Sequence, residues 1–279
     1  MKRLRISAIS YLNTAPLMWD FEHGEGGAAF EISYTLPSGC AAALADGSAD
    51  IGIIPAASYT SIPGLVILPE VAIAARGPVQ SILLVCKVPL ENVSSVALDS
   101  SSLTSVALTR VLFKKWWGAG RRFGSAAPNL EQMLEECDAA LLIGDSALKV
   151  DRTRYLAYDL AEEWVRLTKK PFVFAFWAVR QGALEECSPT LDLSAVFKQS
   201  RDHGLLGKNI ARIAKEWSSR VGLGENEIKT YLTANIHYQL DPECMDGLNL
   251  FYRYAEECGV LPAAPPLQLL ENSKSAFVR

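Results

Sequence analysis

From its first residues the chain alternates between two spacings of apolar positions. RLRISAI (3–9) has the run of a buried strand, PLMWDFEHG (16–24) follows at helical spacing with Pro16 in its first turn and Gly24 at its end, and EISYTL (31–36) reads as a second strand. SGCAAALADG (38–47) is helical, with Ser38 in the place of a cap and Gly47 where a helix stops. DIGII (50–54) is a third strand, closed by Pro55. Strand, helix, strand, helix, strand with short turns predicts a parallel sheet covered by helices.

The pattern restarts at SSVALD (94–99). TSVALTRVLFKKWW (104–117) and NLEQMLEEC (129–137) are helical and AALLIGD (139–145) is a strand running into a turn, so a second, smaller α/β unit occupies the middle of the chain. After PFVFAFWAVR (171–180), too apolar for an edge strand, apolar residues recur at helical spacing over 192–204, 209–222, 225–240 and 245–259. QSILLVCKVP (80–89) and PFVFAFWAVR stand where one pattern hands over to the next and read as two crossings between lobes. The expected fold class is therefore α/β and two-lobed, with hinge crossings and a central ligand cleft. One lobe is expected from 1–86 and 178–279 and the other from 87–177, and a chain of 279 residues exceeds the usual length of a single core.

Composition narrows the function. A net charge of −4 with scattered Lys and Arg argues against a nucleic-acid partner, because phosphate binding needs a clustered basic stripe. The longest apolar stretches, such as 172–179, fall short of the roughly 20 residues of a membrane span. The six cysteines (40, 86, 137, 187, 244 and 258) form no Cys-x-x-Cys pair, which argues against zinc and for thiols in a reducing compartment. The basic start runs directly into a strand without an apolar leader, so a cytoplasmic protein is expected. Phosphate-loop, dinucleotide, nucleophile-elbow and zinc-protease motifs are all missing, and no metal or organic cofactor is expected. The three histidines (23, 203 and 237) lie in polar helical contexts without metal-ligand spacing and read as surface residues.

In open α/β sheets ligands sit beyond the carboxyl ends of the strands. The turns at those ends are 10–14, 37–39, 55–59, 99–105 and 144–146, rich in Ser, Thr, Asn, Gly and Pro. Several precede a helix, whose free N–H groups favour an anion. The candidates they hold are Ser10, Tyr11, Asn13, Ser38, Pro55, Thr104, Ser105, Gly144 and Asp145, with Gln80 and Ser81 opening the apolar strand that follows residue 79. Structural readings stand beside these: Ser38 and Thr104 as helix caps, Asn13 as a turn former, Asp145 as a cap or brace, Gln80 and Ser81 as polar strand starts. The residues alone describe a protein that closes on a small anionic ligand.

SYLNTAPL, LADGSADIGIIPAASY, VQSILLV, LDSSSLTSVAL, DAALLIGDSAL and DLAEEWVRLTKKPFVFAFWA, taken in order, resemble the motifs of the menaquinone-biosynthesis chorismate dehydratase family, from residue 5 to about 180 and more weakly over the helical tail. Leu103 stands where family members often carry Arg, and Ser58 where they often carry Glu. The resemblance implies a periplasmic-binding-protein-like fold used as a lyase, which removes water from chorismate. It implies Asn13 and Ser81 as the catalytic pair and the other candidates as substrate contacts. Asp99 and Asp145 are the carboxylates that the matched turns offer as a base, but both read as turn or cap residues, and the enolpyruvyl carboxylate of the substrate is the expected base. A non-catalytic solute-binding or sensing protein of the same fold is the competing expectation.

Overall fold

A computed structural model describes residues 3–24, 29–185 and 191–271. Two five-stranded sheets organise the chain. β1 (Leu4–Ile9), β2 (Phe30–Thr35), β3 (Ile51–Pro55) and β4 (Leu65–Ala75) belong to the first. The second is made by β5 (Ile82–Cys86), β6 (Ser95–Asp99), β7 (Arg122–Ala126), β8 (Ala139–Ile143) and β9 (Leu156–Asp159). The chain then returns with β10 (Phe172–Arg180), which inserts between β3 and β4 to give the order β2-β1-β3-β10-β4. The second sheet runs β7-β6-β8-β5-β9.

The two sheets share a plan. In each, three strands are parallel (β2, β1, β3 and β7, β6, β8), and a strand antiparallel to them lies fourth in order, β10 in one and β5 in the other. The all-parallel expectation is thus corrected to a mixed sheet, because the fourth strand of each arrives from the other half and runs backwards. The expected boundaries shift for the same reason. Ile82–Cys86, placed with residues 1–86, pairs with β8 and β9 in the second sheet, and residues 172–177, placed with 87–177, pair in the first. Neither strand is itself a crossing; the chain passes between the sheets at 76–81 and again through the helix after β9.

α1 (Trp19–His23) is preceded by a 3-10 stretch, Leu12–Met18, that holds Pro16 in its interior. α2 (Pro37–Asp46) begins on Pro37 with Leu36 in the cap position, so Ser38 lies inside the first turn and does not cap. α3 (Leu103–Leu112) is capped by Ser102, whose side chain accepts from the Ser105 N–H, and Thr104 is free of that duty. α4 (Leu130–Glu136) is capped by Asn129, and α5 (Gly144–Leu148) opens at the end of β8. α6 (Leu160–Thr168) carries the chain back to the first sheet, and α7 (Gln181–Glu185), α8 (Leu193–Gly204), α9 (Gly207–Val221), α10 (Glu225–Thr230) and α11 (Pro242–Glu257) follow β10.

One core runs through both halves. Ile6, Ile53 and Phe176 of the first sheet and Leu84, Val96 and Leu141 of the second belong to the same buried cluster, while Leu83, Val85, Ala140 and Leu142 pack on the outer face with Met133 and Ala147. Rings seal the seam: Trp164 of α6 packs edge-on against Phe172 of β10 and Phe251 of α11. α8 fixes the turn after β1. The Ser200 hydroxyl donates to the Leu17 carbonyl (2.8 Å) and accepts from the Asp20 N–H (3.0 Å). A Cβ at Gly204 would fall 1.9 Å from the Pro16 carbonyl oxygen, so only glycine lets these backbones approach. Among the described residues no helix is long and apolar enough to cross a membrane.

Candidate active site

A cleft of about 430 Å³, partly open to solvent, lies between the carboxyl ends of the two sheets. All five turns expected there reach it: Tyr11 and Asn13 from the first, then Pro37, Pro55, Ser102 with Ser105, and Gly144. Ser81 lines it from the start of β5, and Phe174 and Ala175 of β10 form part of its apolar wall. Among the described residues no Lys, Arg, His, Asp or Glu belongs to this lining, so an anion there would be met by hydroxyls, an amide and backbone N–H groups.

The wall is held closed by contacts between halves. Gly144 has φ +58°, and a Cβ built on it would stand 3.1 Å from the ring of Tyr11. The Leu12 N–H donates to Asp145 Oδ1 at 3.3 Å, and the Ala57 N–H donates to Thr104 Oγ1 at 3.0 Å. Burial pushes the pKa of both Tyr11 and Asp145 upwards from their ordinary values. Thr104 is fully buried and spent on Ala57, so it joins the halves and does not line the cleft. Asp145 likewise lies off the lining, braced against the Leu12 turn.

The remaining candidates divide sharply. Asn13 Oδ1 accepts from the Thr14 hydroxyl at 3.3 Å, and its side chain lies beside the Tyr231 phenol. Ser81 is 1 % exposed, and its Oγ meets no hydrogen-bond partner among the described residues. A buried hydroxyl left in this state costs free energy, which marks it as a group awaiting a ligand. Ser10 is exposed at the rim, with its N–H on the Thr35 carbonyl, and Ser38 sits beside the lining residue Pro37 without joining it. Gln80 is exposed with φ +63°, and its N–H donates to Asp159 Oδ2 at 2.6 Å, so it belongs to the crossing. Asp99 is buried and occupied by the Ser101 N–H (2.9 Å) and hydroxyl (2.6 Å).

Sequence reasoning passed over Ser102, Phe174 and the isoleucines Ile9, Ile73, Ile82 and Ile143 of the wall. It also passed over Tyr231, a buried phenol flanked by the side chains of Ser81 and Asn13. The histidine reading is corrected at one position. His237, Asp241 and Cys244 bring their ligand atoms within 4.8 Å of one another, a set that could take a metal ion. Asp241 there accepts from His237 (2.7 Å), Arg76 (2.8 Å) and the Cys244 N–H (2.9 Å), which makes it a helix cap with a cation already beside it. None of the three lines the cleft.

Comparison with known proteins agrees with this geometry. Solved structures with the same fold include the alkanesulfonate-binding protein SsuA of Xanthomonas axonopodis pv. citri bound to MOPS (TM-score 0.64, 14% identity, 96% of this chain and 98% of that one). The periplasmic aliphatic sulphonate binding protein SsuA of Escherichia coli is another (TM-score 0.63, 15% identity, 100% and 97%). The fold is thus that of the periplasmic binding proteins. A chorismate dehydratase of Thermus thermophilus is 32% identical over 273 residues, covering 91% of this chain and 94% of that protein. A family model described as menaquinone biosynthesis matches residues 4–257, and on that match the chain belongs to the menaquinone biosynthesis family.

Proposed function

We propose that the chain is a chorismate dehydratase, a carbon–oxygen lyase that converts chorismate to 3-[(1-carboxyvinyl)oxy]benzoate and water. The observation that carries this reading is the unpartnered Ser81 hydroxyl beside Asn13 in an uncharged cleft, in a chain so similar to a chorismate dehydratase. The reaction needs little beyond orientation. The ring carboxylate, through conjugation, acidifies the hydrogen on the ether-bearing carbon; that proton leaves, the electron pair enters the ring, the neighbouring hydroxyl departs, and aromaticity drives the step.

The base is the enolpyruvyl carboxylate of the substrate. Asp99 and Asp145, the two side-chain candidates, are engaged in turns and absent from the lining, which supports this assignment. The carboxylate takes the carbon-bound proton and passes it to the departing hydroxide, so that water is the net loss and the carboxylate is restored. Asn13 and Ser81 hold the carboxylates and the leaving hydroxyl in reacting geometry. The N–H groups in the first turns of α2 and α3, at Ser38 and Thr104, offset the remaining negative charge. Tyr11, Pro55 and Gly144 shape the wall, and Ser10, Ser38, Gln80, Thr104 and Asp145 support it from outside. No metal or organic cofactor enters these steps. The described cysteines are all free, which supports action in the cytoplasm.

The test is incubation of the purified protein with chorismate and chromatography of the product. Formation of the aromatic enol ether supports the lyase. Binding of chorismate without turnover would return the chain to the solute-binding reading.

A further inference from the structure

α10 does not end as an ordinary helix. Its last residues pass into a π-helical turn, Tyr231–Asn235, and the chain then makes a two-way backbone bridge from His237 to Ala74 of β4. Such wide turns interrupt the regular hydrogen-bond ladder and are frequent where a helix must aim one side chain. The turn is pinned to the crossing that precedes β5, since the Asn235 side-chain amide donates to the Pro78 carbonyl at 2.9 Å, three residues before Ser81. The side chain so aimed is Tyr231, which is 3 % exposed. Its hydroxyl lies beside the side chains of Ser81 and Asn13, and Tyr231 is not itself part of the cleft lining.

We propose that Tyr231 is a positioning residue, whose hydroxyl orients Ser81 and Asn13 toward the substrate. Three observations converge on this role: the π-turn, the anchor to Pro78, and a Ser81 Oγ that is buried beside a phenol yet completes no hydrogen bond. Ser81 has one proton and one pair of acceptor sites to distribute. With substrate bound, the Ser81 hydroxyl donates into the cleft while accepting from Tyr231, so the contact tightens when it is needed. Burial raises the pKa of Tyr231 well above its ordinary value, which keeps it a neutral O–H donor over the working pH range. Tyr238, buried beside Tyr231 with a hydroxyl that meets no hydrogen-bond partner among the described residues, bonds neither Ser81 nor Asn13 and serves as the control.

This role rests on the reaction proposed above, and the experiment separates the two. Tyr231→Phe keeps the ring and its packing and deletes only the hydroxyl. It should lower kcat about tenfold or more and move KM by less than about threefold, the split expected for a contact realised in the transition state. In the Ser81→Ala background the same change should cost clearly less than it does in the wild type, because one of the two groups it acts through is gone. Tyr238→Phe should leave kcat within about twofold of the wild type. Wild-type turnover with an undiminished Tyr231→Phe, losses that multiply in the double variant, or an equal loss in Tyr238→Phe would each overturn the positioning role. Absence of turnover in the wild type itself would remove the reaction and this role together.

Discussion

Replacing Ser81 by alanine should make the protein more stable and less active at once. The Oγ is inaccessible, and among the described residues it completes no hydrogen bond. A buried hydroxyl left unpaired costs about 1–3 kcal/mol relative to one in water, and a methyl group in its place removes that penalty. Some packing contact is lost with the oxygen, so a net gain of about 1–2 kcal/mol is expected. For a chain of this length that corresponds to a rise of about 2–4 °C in the melting midpoint. Turnover should move the other way, by about 10²-fold in kcat, the scale for loss of one oriented donor. Differential scanning calorimetry without ligand and steady-state chorismate consumption measure the two quantities. A melting point that falls, with kcat preserved, would mean that the hydroxyl is a structural group satisfied in solution, and the reasoning from its unpaired state would be refuted.

Further outcomes follow from the same geometry. Asn13→Ala should lower kcat by about 10²-fold with circular dichroism unchanged, and Asn13→Asp should be at least as harmful, because it places a like charge beside a dianion. Near-normal kcat in a folded Asn13→Ala protein would reduce Asn13 to a turn former. Gly144→Ala forces a side chain into the left-handed region at about 1–2 kcal/mol and presses a methyl on the Tyr11 ring. It should lower the melting midpoint by about 2–4 °C and reduce kcat/KM, read by thermal melts and initial rates. Asp138 is held down at about 2, first by the Ser94 hydroxyl and N–H and then by those of Ser95. Its folded value lies below the unfolded one, so its contribution is complete above about pH 4 and is lost as pH falls toward 2. Asp138→Asn should therefore flatten the melting-point profile in that window and leave the neutral range parallel to the wild type.

The cleft was legible in the sequence because its makers are turns. A buried strand that ends in Ser, Asn, Gly or Pro before a helix announces both a change of direction and exposed polar groups, and all five such turns meet. Within a turn the assignment was weaker. Three consecutive serines precede Leu103, any of which can cap, and only packing selects Ser102 for α3 and leaves Thr104 to bind Ala57. β4 was hidden because Pro69 and Glu70, the latter at φ +64°, break its run in the middle. β7 was hidden because it lies at a sheet edge and carries little buried surface. β5 and β10 are buried on both faces, so their apolar pattern names them as strands without saying in which sheet. Tyr231 lies in a stretch whose spacing is simply helical; the π-turn that aims it leaves no mark in composition.

The position of β10 governs how the molecule can be made. It is the strand between β3 and β4, so residues 4–75 cannot finish their sheet until synthesis has passed through the whole second sheet and reached residue 180. The second sheet comes from one unbroken run, 82–159, and can pair as soon as it emerges. Until β10 arrives, β3 and β4 each present an unpaired inner edge on strands that are mostly buried in the finished protein. Exposed apolar edges of that kind are templates for wrong pairing. Insertion of β10 is accordingly the long-range, entropically costly step of folding. Chains truncated shortly before residue 172 and released from the ribosome should then hold a protease-resistant second sheet beside a first sheet that is still open to digestion.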